Sequence, residues 1–193
     1  MENPNNWIVI SYKLPTLPSR VRVHVWRKLK KAGAIHYQQG VAMLPHNDQF
    51  LKFMNALKSE ISSYGGEAVL AQLNYMDECD NQKAIDEFNA ALSQEYCGIK
   101  ETGCRIWDEI EQSRTDNLLS LAFLEERLTT LKRLKNAYEK VKLRDCFKVN
   151  LRERIDDHIE TLLQKAEYCY NEFNTNSKKK HSGRQSCDNR TEW

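Results

Sequence analysis

The stretch WIVISYKLPTLPSRVRVHVWRKLKKAGAIHYQQGVAML, residues 7–44, decides how this chain folds, because its hydrophobic period changes along it. Trp7–Tyr12 is a β-branched and aromatic run that reads as a strand. Pro15 and Pro18 then break the pattern. Ser19 can cap a helix, and Val21–Ala32 is amphipathic. Val21, Val25, Leu29 and Ala32, with Trp26, fall on one face, while Arg20, Arg27, Lys28, Lys30 and Lys31 lie largely elsewhere. Gly33 is a natural stop. Ala34–Tyr37 and Val41–Leu44 read as two short strands turning at Gln38-Gln39-Gly40.

Working outward, Pro45 to Asp48 opens a second helix with Phe50, Phe53, Met54, Leu57 and Ile61 on its stripe. Gly65-Gly66 ends it, and Glu67–Leu73 is a fourth strand. The order β-α-β-β-α-β is the ferredoxin-like plan, an antiparallel sheet with two helices on one face. The other face is left for a partner or for the rest of the chain.

Beyond Asp77 the periodicity becomes helical throughout. Asn81–Glu95 carries Ile85, Phe88 and Leu92 at helical spacing, and Cys104–Ile110 continues or restarts a helix after possible loops at Gly98 and Gly103. Leu118–Val141 and Leu151–Phe173 are long leucine- and isoleucine-striped helices joined by a short link. That pattern predicts an antiparallel helical hairpin. The expected organisation is therefore α+β: a ferredoxin-like βαββαβ domain over residues 1–78, then a mainly α-helical domain over 79–174 containing a hairpin at 118–173. A disordered basic tail is expected over 175–193.

The formal net charge is only +2, from 29 Lys/Arg and 27 Asp/Glu. This excludes a uniformly basic nucleic-acid coat. The sum hides an uneven distribution. Residues 1–78 hold nine Lys/Arg and six Asp/Glu, residues 79–174 fifteen and nineteen, and residues 175–193 five and two. A basic front, an acidic middle and a basic tail average to near-neutrality. The N-terminus has no basic region followed by an apolar core, and no apolar stretch reaches the roughly 20 residues a membrane-spanning helix needs. A cytoplasmic protein without membrane association is expected. In that compartment the six cysteines (Cys79, Cys97, Cys104, Cys146, Cys169 and Cys187) should be reduced. None forms C-x-x-C; most read as small hydrophobes, with Cys97 and Cys104 as the candidates for a redox role.

The sharpest functional signal is the basic first helix. Lys13, Arg20, Arg22, Arg27, Lys28 and Lys31 are the candidate DNA- or anion-binding residues. Cations on one helix can neutralise phosphates, and arginines can grip an anion through two N–H groups. The alternative is an ordinary solvated face. His24, His36, His46 and His158 show no metal-ligand spacing, although His24, His36 and His46 could meet in three dimensions. Glu125-Glu126 and Asp156-Asp157 read as outer helix faces. No catalytic residue, cofactor or metal ligand set is assigned.

Several segments carry a family resemblance: WIVISYKLP, SRVRVHVWRKLKKAGA, GVAMLP and GGEAVL. Together they resemble the N-terminal region of the chromate-resistance protein ChrB. The likeness extends through Leu118–Leu131 to Leu143-Arg144-Asp145-Cys146-Phe147, where the family pattern has R-D-F-F and this chain places Cys146 at the third position. The first half is also similar to the ferredoxin-like domain of PaaX-type repressors and of CRISPR adaptation nucleases. Those nucleases carry an aspartate at the end of the first strand, where this chain has Ser11-Tyr12-Lys13.

The resemblance implies a DNA-binding transcriptional regulator linked to chromate resistance. The family's chromate-sensing part is a further C-terminal domain that 193 residues are not expected to hold. Two other readings remain. One is a non-enzymatic interaction module whose helical hairpin partners a separate sensor or transporter. The other, less favoured, is an enzyme acting on an oxyanion or nucleic acid. A homodimer is compatible with the edge strands and with the hairpin.

Overall fold

The computed structural model describes residues 6–15 and 19–184, with side chains described as far as residue 176. Its element order is β1 (Asn6–Lys13), α1 (Ser19–Ala32), β2 (Ile35–Gln38), β3 (Val41–Pro45), α2 (Asp48–Ser63), β4 (Glu67–Asn74), α3 (Glu78–Thr115), α4 (Leu121–Lys142) and α5 (Leu151–Arg184). The chain is α+β. Contacts divide it into two compact units, one holding residues 1–94 with 143–149 and the other residues 95–142 with 150–193.

The first unit is built on a four-stranded antiparallel sheet in the order β2-β3-β1-β4. This is the ferredoxin-like order. Alternation along β1 sends Ile8 and Ile10 to one face and Trp7 and Val9 to the other. Across the first face, Ile8 pairs with Leu44 and Gln72, and Ile10 with Ala42 and Leu70. Val25 and Leu29 of α1, and Phe50, Met54, Leu57 and Ile61 of α2, are buried with Ile8 and Ile10. Asn47 starts α2 by accepting the Phe50 N–H at 2.7 Å on its side-chain oxygen.

On the second face Trp7 is fully buried. Its ring lies 6.5 Å from Tyr75, 6.4 Å from Phe88 and 6.0 Å from Phe147. Its indole N–H donates to the Asn81 side-chain oxygen at 3.0 Å. Asn81 and Phe88 belong to the start of α3, so this unit extends beyond the expected boundary at residue 78. Phe147 adds a second, distant segment. Arg144 of the same segment donates to the Lys31 carbonyl at 3.1 Å, and the Asn47 amide donates to the Cys146 sulfur at 3.1 Å.

The second unit packs the later part of α3 with α4 and α5. The last two run antiparallel, since Lys142 pairs with Asp156, Lys135 with Glu160 and Lys132 with Glu167. Leu124, Leu128, Leu131 and Tyr138 of α4 are buried, as are Ile155, Ile159, Leu162 and Ala166 of α5 and Tyr96, Ile106 and Ile110 of α3.

Three expectations need correction. No loop forms at Gly98 or Gly103, because α3 is one helix of 38 residues. Each interior glycine costs about 1 kcal/mol relative to Ala. At Gly103 that cost has a counterpart, since a Cβ there would meet Leu162 Cδ1 at 2.8 Å and Leu134 Cδ2 at 3.5 Å. The missing side chain lets neighbouring helices close in. Next, α4 begins at Leu121 rather than Leu118, because Ser120 caps it, its hydroxyl accepting the Phe123 N–H at 3.2 Å. Leu118 is left 74% exposed. Finally, α5 runs on to Arg184, through ten residues expected to be disordered. No Pro interrupts it. The rest of the expected tail, 185–193, lies outside the described residues.

Candidate anion and nucleic-acid interface

The basic helix α1 distributes its cations over three strips. A helix advances about 100° per residue, so residues four apart share a strip. Arg20, Arg27 and Lys31 lie on the outermost strip and are exposed. Lys28 and His24 lie on the flank that meets α2. There the Lys28 ammonium donates to Glu60 Oε2 at 2.6 Å, and the His24 ring nitrogen lies 2.9 Å from Glu60 Oε1. The Lys28 hydrogen bond holds the Glu60 carboxyl below the usual carboxylate range against the opposing effect of burial, with His24 assisting.

Arg22, Trp26 and Lys30 form the third strip. Arg22 and Trp26 line a cleft of about 570 Å³ with Tyr12, Lys13 and Leu14 from the end of β1 and with His36, Gln38, Gln39 and Gly40 from the β2–β3 turn. The Trp26 ring is 44% exposed and lies 6.4 Å from His36. The Lys30 ammonium sits 5.1 Å from its centroid, within cation–π range. Burial raises the Tyr12 phenol above its ordinary value.

The cleft depends on Gly40. Its φ is +78°, and its carbonyl accepts the Tyr12 N–H at 2.7 Å. A Cβ at this position would come within 2.6 Å of the Tyr12 carbonyl oxygen. Glycine therefore lets the turn close onto β1.

Of the six candidate residues, Lys13 and Arg22 share the cleft, Arg20, Arg27 and Lys31 sit on the outer strip, and Lys28 faces Glu60. No ion pair is found for Lys13, Arg20, Arg22, Arg27 or Lys31 among the described residues. Among the described residues the cleft lining carries Lys13 and Arg22 and no carboxylate. An arginine beside an exposed indole suits a phosphate next to a base, the first through paired N–H groups and the second through stacking.

Sequence reading placed Trp26 with the buried stripe and missed His36 and the Gln38–Gly40 turn as part of this site. The four-residue spacing of Arg22, Trp26 and Lys30 was the available signal. His24, His36 and His46 are not gathered into one site. His24 meets Glu60, His36 lies by Trp26, and the His46 N–H bonds to the Asn6 carbonyl. Among the described residues no group of three or more His, Cys, Asp or Glu could hold a metal ion. Among them, too, no helix is long and apolar enough to cross a membrane.

A ferredoxin-like sheet, a cation-bearing first helix and a mainly helical second half define the class of protein. The chain belongs to the family described as "Protein ChrB, N-terminal", whose model matches residues 22–179. This makes it a chromate-resistance-related, ChrB-like protein. No curated protein and no solved structure matches it.

Proposed function

We propose that this protein is a DNA-binding transcriptional regulator linked to chromate resistance, acting through α1 and the cleft beside it. The observation that carries this reading is the set of exposed cations on one helix, Arg20, Arg22, Arg27 and Lys31, beside a cleft with an exposed Trp26 and no carboxylate among its described lining residues. Arg20, Arg27 and Lys31 would track phosphates. Arg22 and Lys13 would grip a phosphate at the cleft mouth, with the Trp26 ring available to a neighbouring base. Family membership supports the regulatory role.

The test is a gel-shift titration with DNA from upstream of the protein's own gene, over a range of salt. Each phosphate contact contributes about 0.9 to the slope of log K against log salt. The double variant Arg22→Ala/Arg27→Ala should weaken binding and reduce that slope by roughly two. Equal, weak binding to scrambled DNA and to heparin would sink specific regulation.

A further inference from the structure

Outside the α1 surface, one pair of chemistry-bearing side chains stands out. In the second unit, Cys104 of α3 and His158 of α5 face each other, with Sγ 3.4 Å from Nε2. Both are half-buried. The contact exists because Gly103, the preceding residue, has no side chain where Leu162 of α5 presses in. Leu162 is one turn beyond His158, so this close approach lies beside the pair.

The surroundings favour a neutral imidazole. Burial lowers the His158 pKa, and the positive charges of Lys100 and Lys165 lower it further. In the tautomer protonated on Nδ1, Nε2 has a free lone pair, and the Cys104 S–H donates to it. A thiol hydrogen-bonded to a neutral imidazole is the arrangement in which an adjacent base activates a sulfur nucleophile. Half-burial leaves the thiol partly open to solvent.

We propose that Cys104 is an oxidation-sensitive nucleophile, with His158 as its base, that reacts with small hydroperoxides. In the step, Sγ attacks the terminal peroxide oxygen while its proton passes to Nε2. An S–O bond forms and the O–O bond breaks. The departing alkoxide, or hydroxide from hydrogen peroxide, takes the proton from the imidazolium and leaves as alcohol or water. Sulfur loses two electrons and the peroxide gains them, leaving a sulfenic acid at Cys104. The lysines that disfavour the imidazolium favour this second proton transfer. The proposal is independent of DNA binding, since it uses no residue of α1.

The molecule carries its own controls. Cys79 and Cys97 are exposed, and neither has a histidine partner among the described residues. Full-length protein is treated with hydrogen peroxide in the presence of dimedone, and the trapped sulfenic acid at each cysteine is followed by peptide mass spectrometry. Exposure alone would make Cys79 and Cys97 react first. The proposal requires Cys104 to lead them by roughly tenfold or more, a modest share of the ~100-fold or greater effect of a positioned base. Trapping at Cys97 or Cys79 as fast as at Cys104 overturns it.

In His158→Gln the side chain can still accept a hydrogen bond but cannot take the proton. Cys104 should then fall to the rate of Cys97, and an unchanged rate removes His158 from the reaction. Should that variant fail to fold by circular dichroism, the ranking in the unmodified protein alone decides.

Discussion

Glu60 engages Lys28 and His24, and its removal should alter two properties in opposite directions. The pair is partly exposed, with Lys28 42% and Glu60 23% accessible, so solvent screening keeps its contribution small. Glu60→Gln should cost about 0.5–1 kcal/mol in urea melts while strengthening affinity for polyanions, because Lys28 is released. A variant that loses both would show that Glu60 supports the proposed DNA-binding surface and does not restrain it. The folded carboxyl is held below its ordinary range, so its stabilising effect is present above the unfolded pKa and lost as pH falls through the folded value.

Tyr138 behaves in the opposite sense. Burial, with Asp156 and Glu139 adding, raises its phenol from 10.0 to about 12. Its contribution is fully present below the unfolded pKa and lost as pH rises through about 12. Tyr138→Phe should abolish the highest tyrosinate step in an ultraviolet titration. It should also cost about 1 kcal/mol through the lost bond to the Arg152 carbonyl at 3.1 Å. A titration unchanged in Tyr138→Phe would refute the assignment. At this scale the sequence revealed which residues carry charge and not which charges are spent. Lys28 and Arg22 look alike along the chain; only the folded α2 distinguishes them, by bringing up a carboxylate from 32 residues away. The half-exposure of Trp26 was hidden for the same reason.

Among the elements, the β2–β3 turn is the most sharply constrained piece of the candidate site. Gly40→Ala would force a left-handed backbone on a residue with a Cβ, costing roughly 1–2 kcal/mol, and would push that Cβ into the Tyr12 carbonyl. We expect lower stability in denaturant titration together with weaker anion binding at the cleft. An alanine variant as stable as the parent would mean that β1 and the turn can separate freely. The strands and the first two helices were legible because their periods differ and because Gly, Pro and Asn mark their ends. The second half was legible in type and less so in extent. Propensity placed breaks at Gly98 and Gly103, and at Gly103 packing against Leu162 and Leu134 overrides it. Polarity suggested disorder from residue 175, where nothing in the backbone chemistry halts a helix already started.

At the level of the whole molecule, the net charge of +2 describes no surface of the protein. Arg20, Arg22, Arg27, Lys28, Lys30 and Lys31 sit on a single helix, and the acidic excess lies farther along the chain. The path of the chain was less legible than its charge. Sequence alone suggested a boundary at residue 78, yet the first unit takes in the start of α3 and later reclaims residues 143–149. Nothing in the local pattern of Arg144-Asp145-Cys146-Phe147 reveals that Phe147 stacks within 6.0 Å of Trp7. Because Phe147 is only half-buried, Phe147→Ala should cost about 2 kcal/mol, below the 3–5 kcal/mol of a fully buried ring. A loss under 0.5 kcal/mol by thermal melting would show that the segment merely rests on the unit.

The return of that segment has a consequence for how the protein is made. A ribosome adds about 5–20 residues per second, so roughly fifty residues, and several seconds, separate the emergence of residue 94 from that of residue 149. Throughout that interval the nascent sheet exists without its last aromatic cover. The indole of Trp7, among the first groups synthesised, is among the last to be sealed from water. Birth order and burial order run in opposite directions in this chain, and the newborn first unit depends on that delay ending before its open side finds another surface.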